Sequence, residues 1–238
     1  MDEIMAVADK HGLYVVHDTA QSIGSEYKGQ KTGNQGHVST FSFHGTKNLT
    51  TGEGGAFVTN DSEIAERVKI LREKGTDKHS FLTGSQTRGY YEYVDTGMSY
   101  VQSDMNAALG STQLSKLDWM NEQRREIAGY YLEALADIEE IDFLRITEGS
   151  KHNWHLFGIL VPAKERLWVM DALRAEGVLS NVHYTPLHRN RFYHNLGSDS
   201  DFPGSLEFFN RLLRIPIYPS LMNGDYKKVI KALIKVFS

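Results

Sequence analysis

Three short apolar runs separated by turn-forming residues set the fold of the first half of this chain: Leu13-Tyr14-Val15-Val16, Val38 to Phe43 and Ala56-Phe57-Val58-Thr59. Each is short, rich in β-branched or aromatic residues and flanked by Gly, Asp or Asn, so each reads as a strand. Helical spacing fills the gaps. Ile4, Met5 and Ala8 share a face that stops at Gly12. A second helix runs from an Asp61 or Ser62 cap to Lys74, with Ile64, Ala65, Val68 and Leu71 on one side and Gly75 as its stop. Strand and helix alternating in this way predict an α/β sheet.

Polar residues with chemical potential sit where these strands end. Asp18 closes the first run, Gln21 lies one turn on, Ser42 ends the second run and Lys47 follows in His44-Gly45-Thr46-Lys47-Asn48. Singly, each has an ordinary explanation. Asp is a turn former and cap through its bonds to nearby backbone, Ser42 suits an alternating strand, Gln21 suits a surface and Lys47 a solvated charge. Jointly they supply what a pyridoxal phosphate ring asks of a protein. That set is a carboxylate for the pyridine nitrogen, an amide for the ring oxygen, a hydroxyl for the phosphate and an amine for a Schiff base. Gly52-Glu53-Gly54-Gly55 adds a backbone that can turn tightly beside a ligand.

His17-Asp18-Thr19-Ala20-Gln21 and Thr40-Phe41-Ser42-Phe43-His44-Gly45-Thr46-Lys47-Asn48, continuing to Gly55-Ala56, resemble the core of the DegT/DnrJ/StrS sugar aminotransferases. These are pyridoxal phosphate enzymes of fold type I, the aspartate aminotransferase-like fold. The resemblance implies that Asp18, Gln21, Ser42 and Lys47 bind the cofactor and that Lys47 is catalytic. Arg72 to Lys78 and Val94-Asp95-Thr96-Gly97-Met98-Ser99-Tyr100 resemble the branch that makes dTDP-4-amino-4,6-dideoxygalactose. Most of the family has Asn-Tyr-Arg-Met where this chain has Ser99-Tyr100-Val101-Gln102, so the resemblance implies that Ser99 reaches the phosphate of a partner subunit. The implied reaction is amino transfer from glutamate to a nucleotide-linked 4-keto-6-deoxy sugar, in a homodimer with shared active sites. A dehydratase on the same fold would commonly carry His where this chain has Lys47. Family members also carry an N-terminal part of the large domain ahead of the point matching Met1. The chain is therefore expected to hold the C-terminal part of the large domain (1–120) and a small α/β domain (121–238). The alternatives are a truncated member that is inactive or active only in an oligomer, and an aminotransferase acting on another keto sugar nucleotide.

Residues 75 to 100 show little regular pattern but contain Tyr90, Tyr91, Tyr93 and Tyr100, which suits a subunit interface beside the site. Helical spacing returns with Met105, Ala108, Leu109, Leu114 and Leu117, then with Ile127, Tyr131, Ala134, Leu135 and Ile138; the domain change is expected near Trp119 to Gln123. Beyond it the pattern predicts a strand over Trp154–Val161, a helix over Pro162–Glu176, a strand over Leu179–Tyr184 and two later helices. The last of these buries Val229, Ile230, Leu233, Ile234 and Phe237. By resemblance His183, Tyr184 and His188 border the sugar, and His44 touches substrate or tunes Lys47. Arg88, Arg189 and Arg191 are candidates for the diphosphate.

Composition narrows the remaining classes. A net charge of -4 with no basic cluster disfavours nucleic acid. No cysteine is present, so disulfides and thiolate metal sites are excluded, and two nearby histidines without a third ligand predict no metal. No apolar run reaches the ~20 residues of a bilayer span, which predicts no membrane insertion and a cytoplasmic enzyme. Gly45-Thr46-Lys47 lacks the upstream glycine of a nucleotide-binding phosphate loop.

Overall fold

The computed structural model describes the chain except for Thr83, residues 85–88 and the side chain of Phe81. The chain forms two compact units, Met1–Leu117 and Asp118–Ser238.

The first unit opens with helix α1 (Asp2–His11), which Gly12 ends in the left-handed conformation at φ 62°. Leu13 then donates its N–H back to the Ala8 carbonyl at 2.9 Å. Because these residues terminate a helix, strand β1 is Val16–Asp18, later than the expected Leu13–Val16. A small hairpin, β2 (Glu26–Tyr27) with β3 (Gln30–Lys31), precedes β4 (Val38–Ser42) and β5 (Gly55–Thr59). β4 is the central strand. It pairs in parallel with β1, Val16 opposite Val38 and Asp18 opposite Thr40, and antiparallel with β5, Ser42 opposite Gly55.

Helix α2 (Ser62–Arg72) starts at Asp61, whose carboxylate accepts the N–H groups of Glu63 and Ile64. Of residues 75–100, expected to lack regular structure, the stretch 92–100 is instead laced to the end of α2. After a short α3 (Lys78–Leu82), Tyr93 bridges Thr76 and Ser99 bridges Glu73. The Gly75 carbonyl accepts from Val94 and Asp95, and the Leu71 carbonyl from Met98. The backbones approach so closely that a Cβ on Gly75 would meet the Asp95 carbonyl oxygen at 1.8 Å. Backbone contacts of this kind leave no apolar periodicity in the sequence. Helix α4 (Asp104–Leu114) follows, capped by Ser103.

Apolar cover is thin in this unit. Val16 on β1 is 68% exposed, and Phe57 and Val58 on β5, Met105 on α4, and Ile4 and Val7 on α1 are also exposed.

The second unit holds the continuous core. Helix α5 (Leu117–Ala134) runs unbroken through Trp119–Gln123, where the domain change was expected. It contributes Ile127, Ala128 and Tyr131 to a cluster with Leu135, with Phe157, Ile159 and Val161 around β8 (Phe157–Leu160), and with Val169 and Leu173 of α6 (Arg166–Ala175). Leu213 and Ile215 of β9 (Leu212–Ile215) and Val229, Ala232 and Leu233 of α8 (Asp225–Val236) complete it. β8 is the centre of a sheet between β6 (Asp142–Phe143) and β9, while β7 (Ser150–Lys151) precedes it and α7 (Pro203–Arg211) leads into β9. Alternate residues of β8 point inward, each worth about 1.5–3 kcal/mol when fully buried.

Three expectations fail here for local reasons. The strand expected at Leu179–Tyr184 reduces to one bridge, Asn181 to Arg214 on the outer edge of β9, which runs into Pro216, a residue with no N–H to donate. The strand expected from Trp154 starts only at Phe157, since Trp154 has φ 47°. Ile234, expected in the core, is 43% exposed on the outer side of α8. Among the described residues no helix is long and apolar enough to cross a membrane.

Arg124 of α5 is buried with no carboxylate against it among the described residues. Its Nη1 donates to the carbonyls of Ile217 at 2.6 Å, Trp154 at 3.3 Å and His155 at 3.5 Å, while its Nε has no partner. Burial pushes its pKa down to about 10. The guanidinium thus ties α5 to the segments entering β8 and leaving β9.

Replacing Arg124 with Met leaves buried carbonyls unpaired, at about 1–3 kcal/mol per group. Urea unfolding followed by tryptophan fluorescence should show a loss of about 2 kcal/mol for Arg124→Met, with Arg124→Lys intermediate. Gly75→Ala combines a left-handed backbone, a penalty of about 1–2 kcal/mol, with the Asp95 clash. It should expose residues 92–100 to limited proteolysis while leaving the second unit resistant.

Candidate active site in the first unit

The parallel pairing of β1 with β4 brings the first two candidates together. Asp18 lies opposite Thr40, and Ser42 lies two residues further along β4, so all three side chains share one sheet face. Asp18 ends its strand, and its Oδ1 accepts the Ala20 N–H at 3.0 Å, which orients the carboxylate at the start of the following turn. That turn is anchored by Thr19, which is fully buried. Its N–H and its Oγ1 both donate to the Thr40 carbonyl, at 3.0 and 2.7 Å. Its own carbonyl accepts the Ser22 N–H at 3.0 Å. Gln21 is an exposed residue within this turn.

Lys47 lies in the connection between β4 and β5. The Phe43 carbonyl accepts the Thr51 N–H at 2.9 Å and the Thr50 hydroxyl at 3.2 Å, while the Phe43 N–H bonds the Gly54 carbonyl at 2.8 Å. These bonds close the neck of the loop. Within it the Lys47 N–H bonds the His44 carbonyl at 2.9 Å, and Asn48 and Leu49 are buried immediately after. The Lys47 side chain is half-buried, and no carboxylate pairs with it among the described residues. The negative charge of the loop belongs to Glu53, whose Oε1 stands 3.6 Å from His44 Nε2. His44 Nδ1 sits 2.9 Å from Thr46 Oγ1, so both of its ring nitrogens have protein neighbours. The Ser42 hydroxyl accepts the His44 N–H at 3.3 Å, which joins the end of β4 to the start of the loop.

Gly55, opposite Ser42, lets the hairpin close, since a Cβ there would lie 2.6 Å from the Phe41 carbonyl oxygen. Ser99 is exposed and is held through its backbone bridge to Glu73. Arg88 lies outside the described residues.

The other candidates belong to the second unit. The rings of His183 and Tyr184 meet edge-to-face at 4.6 Å, and Tyr184 is exposed. His188 is buried, stacked on Phe202 at 4.8 Å, with Nε2 3.0 Å from Asp199 Oδ1. Arg189 forks onto both oxygens of the same carboxylate, at 2.8 and 2.6 Å. Arg189, then His188, hold the Asp199 carboxyl well below the usual range. Arg191 is exposed. Two residues escaped the sequence reading. Thr19 is recognisable only once its partner strand is known, and Arg214, which faces the His183 segment, lies inside a strand whose other residues are apolar. Among the described residues no cluster of three His, Asp or Glu could hold a metal.

The donor set in the first unit is an acceptor carboxylate and a hydroxyl on one sheet face, followed by an amine without a counter-ion. It suits a cationic heterocycle carrying phosphate and an aldehyde, and does not suit a metal or a nucleotide triphosphate.

Residues 1–234 match the DegT/DnrJ/EryC1/StrS aminotransferase family. The chain is 36% identical to the spore coat polysaccharide biosynthesis protein SpsC of Bacillus subtilis, covering 98% of this chain and 62% of SpsC. Among solved structures it is similar to Helicobacter pylori PseC, an aminotransferase involved in the biosynthesis of pseudoaminic acid. The TM-score is 0.89 at 28% identity, covering 99% of this chain and 62% of PseC. It is likewise similar to the PLP-form of Spr1654 of Streptococcus pneumoniae, with a TM-score of 0.82 at 29% identity, covering 95% of this chain and 59% of Spr1654. The chain thus spans about three fifths of the length of these proteins. Across that span it has the mixed α/β fold of the pyridoxal phosphate-dependent sugar aminotransferases, and it belongs to the DegT/DnrJ/EryC1/StrS aminotransferase family.

Proposed function

We propose that this chain carries the catalytic centre of a pyridoxal phosphate-dependent aminotransferase acting on a nucleotide-linked keto sugar. The observation that supports it most is the shared face of Asp18 and Ser42 next to a loop that holds the half-buried amine of Lys47. When bound, the cofactor supplies an electron sink that lets a proton leave the carbon bearing the amino group. Asp18 accepts a hydrogen bond from the protonated ring nitrogen and keeps that nitrogen charged. Ser42 donates to the phosphate, with Ser99 of a second copy proposed on the same group, and Gln21 donates to the ring oxygen. Lys47 anchors the aldehyde carbon. Its Nζ would also be the group placed to take a proton from the substrate carbon and return it.

The finer reading is a 4-keto-6-deoxy sugar nucleotide as acceptor, as in the making of dTDP-4-amino-4,6-dideoxygalactose, with glutamate as donor. It rests on the resemblance of Val94 to Tyr100 to that branch. His44, His183, Tyr184 and His188 are the proposed substrate contacts. We also propose that residues 1–120 are part of a large cofactor-binding domain and 121–238 a small domain. A second reading, a member of the family that works only as an oligomer, is favoured by the exposed apolar residues of β1 and β5, which an added protein surface would cover.

Adding pyridoxal phosphate should produce a visible absorption band that borohydride locks onto a peptide containing Lys47. Lys47→Ala should abolish it and Lys10→Ala should not; a band that survives Lys47→Ala overturns the assignment. Asp18→Asn removes a charge-assisted bond of about 1.5–3 kcal/mol, so cofactor affinity should fall about ten- to hundredfold. With glutamate present, 2-oxoglutarate should appear in the presence of a 4-keto-6-deoxy sugar nucleotide. Equal release with a 3-keto isomer rejects the branch assignment.

A further inference from the structure

We infer that Arg214, together with His183, forms an oxyanion-binding site in the second unit, one that takes a phosphate or carboxylate group. Arg214 lies on β9 directly opposite Asn181, exchanging both backbone hydrogen bonds with it at 3.0 and 2.8 Å. Residues paired in this way carry their side chains on the same face, and the next residue but one lies diagonally across, within reach of a long side chain. That diagonal neighbour is His183.

Two solvent-shielded nitrogens there have no hydrogen-bond partner, Arg214 Nε and His183 Nδ1. Buried nitrogens in native proteins rarely stay unpaired. Arg124 and Arg166 also carry an unpaired Nε, but each donates from Nη1 to a backbone carbonyl, while Arg125 pairs with Glu122 and Arg211 with Asp142. Arg214 is half-buried, yet no carboxylate pairs with it among the described residues. A guanidinium withdrawn from water without a counter-ion is costly unless an anion completes it. Its planar fork matches two oxygens of a phosphate or a carboxylate. Tyr184, whose ring packs on His183, adds an exposed hydroxyl beside the pair.

Partial burial and the Arg214 charge both push the His183 pKa down. An anion placed between the two groups relieves that repulsion. Arg189 and Arg191, the arginines that the sequence favours, are less suitable. The first already forks onto Asp199, and the second is exposed.

The site shares with the proposed function only the idea that His183 and Tyr184 meet a ligand. The test uses the full chain without added cofactor. Histidine ring resonances are followed by NMR while inorganic phosphate, or separately L-glutamate, is titrated at constant ionic strength and pH. The expected result is a saturable shift of His183, weakened at least about tenfold in Arg214→Gln, the loss of one charge-assisted pair. Arg214→Lys should keep part of the affinity, and Arg174→Gln, on the outer side of α6, all of it. Saturation by phosphate alone assigns the site to a phosphate group, by glutamate alone to a carboxylate; both support it. No saturation with either anion, or equal saturation in wild type and Arg214→Gln, overturns the site. Core methyl spectra of Arg214→Lys verify folding. Since the Lys47 absorption band is read separately, a failed titration leaves the cofactor assignment standing.

Discussion

The parallel pairing of β1 with β4 is the constraint on which the site depends. A strand alternates its side chains, so a slip of one residue would send Asp18 to the opposite face from Ser42. The register is held just past the strand end, where Thr19 directs both its N–H and its hydroxyl to the Thr40 carbonyl. At the opposite end His37 Nδ1 accepts the Val15 N–H at 2.9 Å. The two short strands are therefore clamped at both ends by polar groups whose geometry permits one register. With few apolar contacts over the sheet, these directional bonds carry the specificity that packing supplies elsewhere.

That division of labour separates the two units. In the second, the β8–β9 ladder, α5, α6 and α8 enclose one apolar cluster. Tyr131 sits at its centre, edge-on to Phe157 at 5.1 Å, with its hydroxyl spent on the Pro216 carbonyl at 2.9 Å. In the first, Ala8, Val38, Leu49 and Leu117 are the buried apolar residues, while strand residues such as Val16 and Phe57 remain open. An exposed apolar sheet flanked by two unpaired edges is a surface that proteins normally cover. The physical expectation is that the first unit gains most from additional protein surface and the second least.

What the sequence disclosed follows from the kind of interaction involved. Strands β4 and β5 and helices α1, α2 and α8 were legible because apolar periodicity and caps such as Asp61 are local signals. Asp18, Ser42 and Lys47 stand out as candidates because their residue types, at strand ends and in a glycine-flanked loop, form a set that few other chemistries require. The lacing of residues 92–100 onto α2 was not legible. It consists of backbone bonds to Gly75 and Leu71, and the only trace it leaves in the sequence is Gly75 with Gly97. The buried Thr19 was likewise hidden, because its acceptor lies 21 residues away on another strand. The strand expected at Leu179–Tyr184 looked right by composition. It keeps a single bridge, to Arg214 of β9, whose next residue but one, Pro216, has no N–H to donate, a property of the partner strand and not of the segment.

The arginines of the second unit extend the same reasoning from position to purpose. All carry the same charge, and the sequence offers no means of ranking them. Arg189 stands in the Pro-containing turn where function is expected, yet its fork is filled by Asp199, and His188 is committed to the same carboxylate. These bonds brace the turn and leave the Arg189 fork little capacity for a ligand. Arg124 is more deeply buried but is turned onto carbonyls, and its role is to join segments of the core. Arg214 shares an unpaired Nε with Arg124, but unlike Arg124 it has no carbonyl or carboxylate on its guanidinium among the described residues. In a protein interior the group that has lost water without gaining a partner is the one with the most to gain from a ligand, which turns attention from the arginine that looks functional to the one left incomplete.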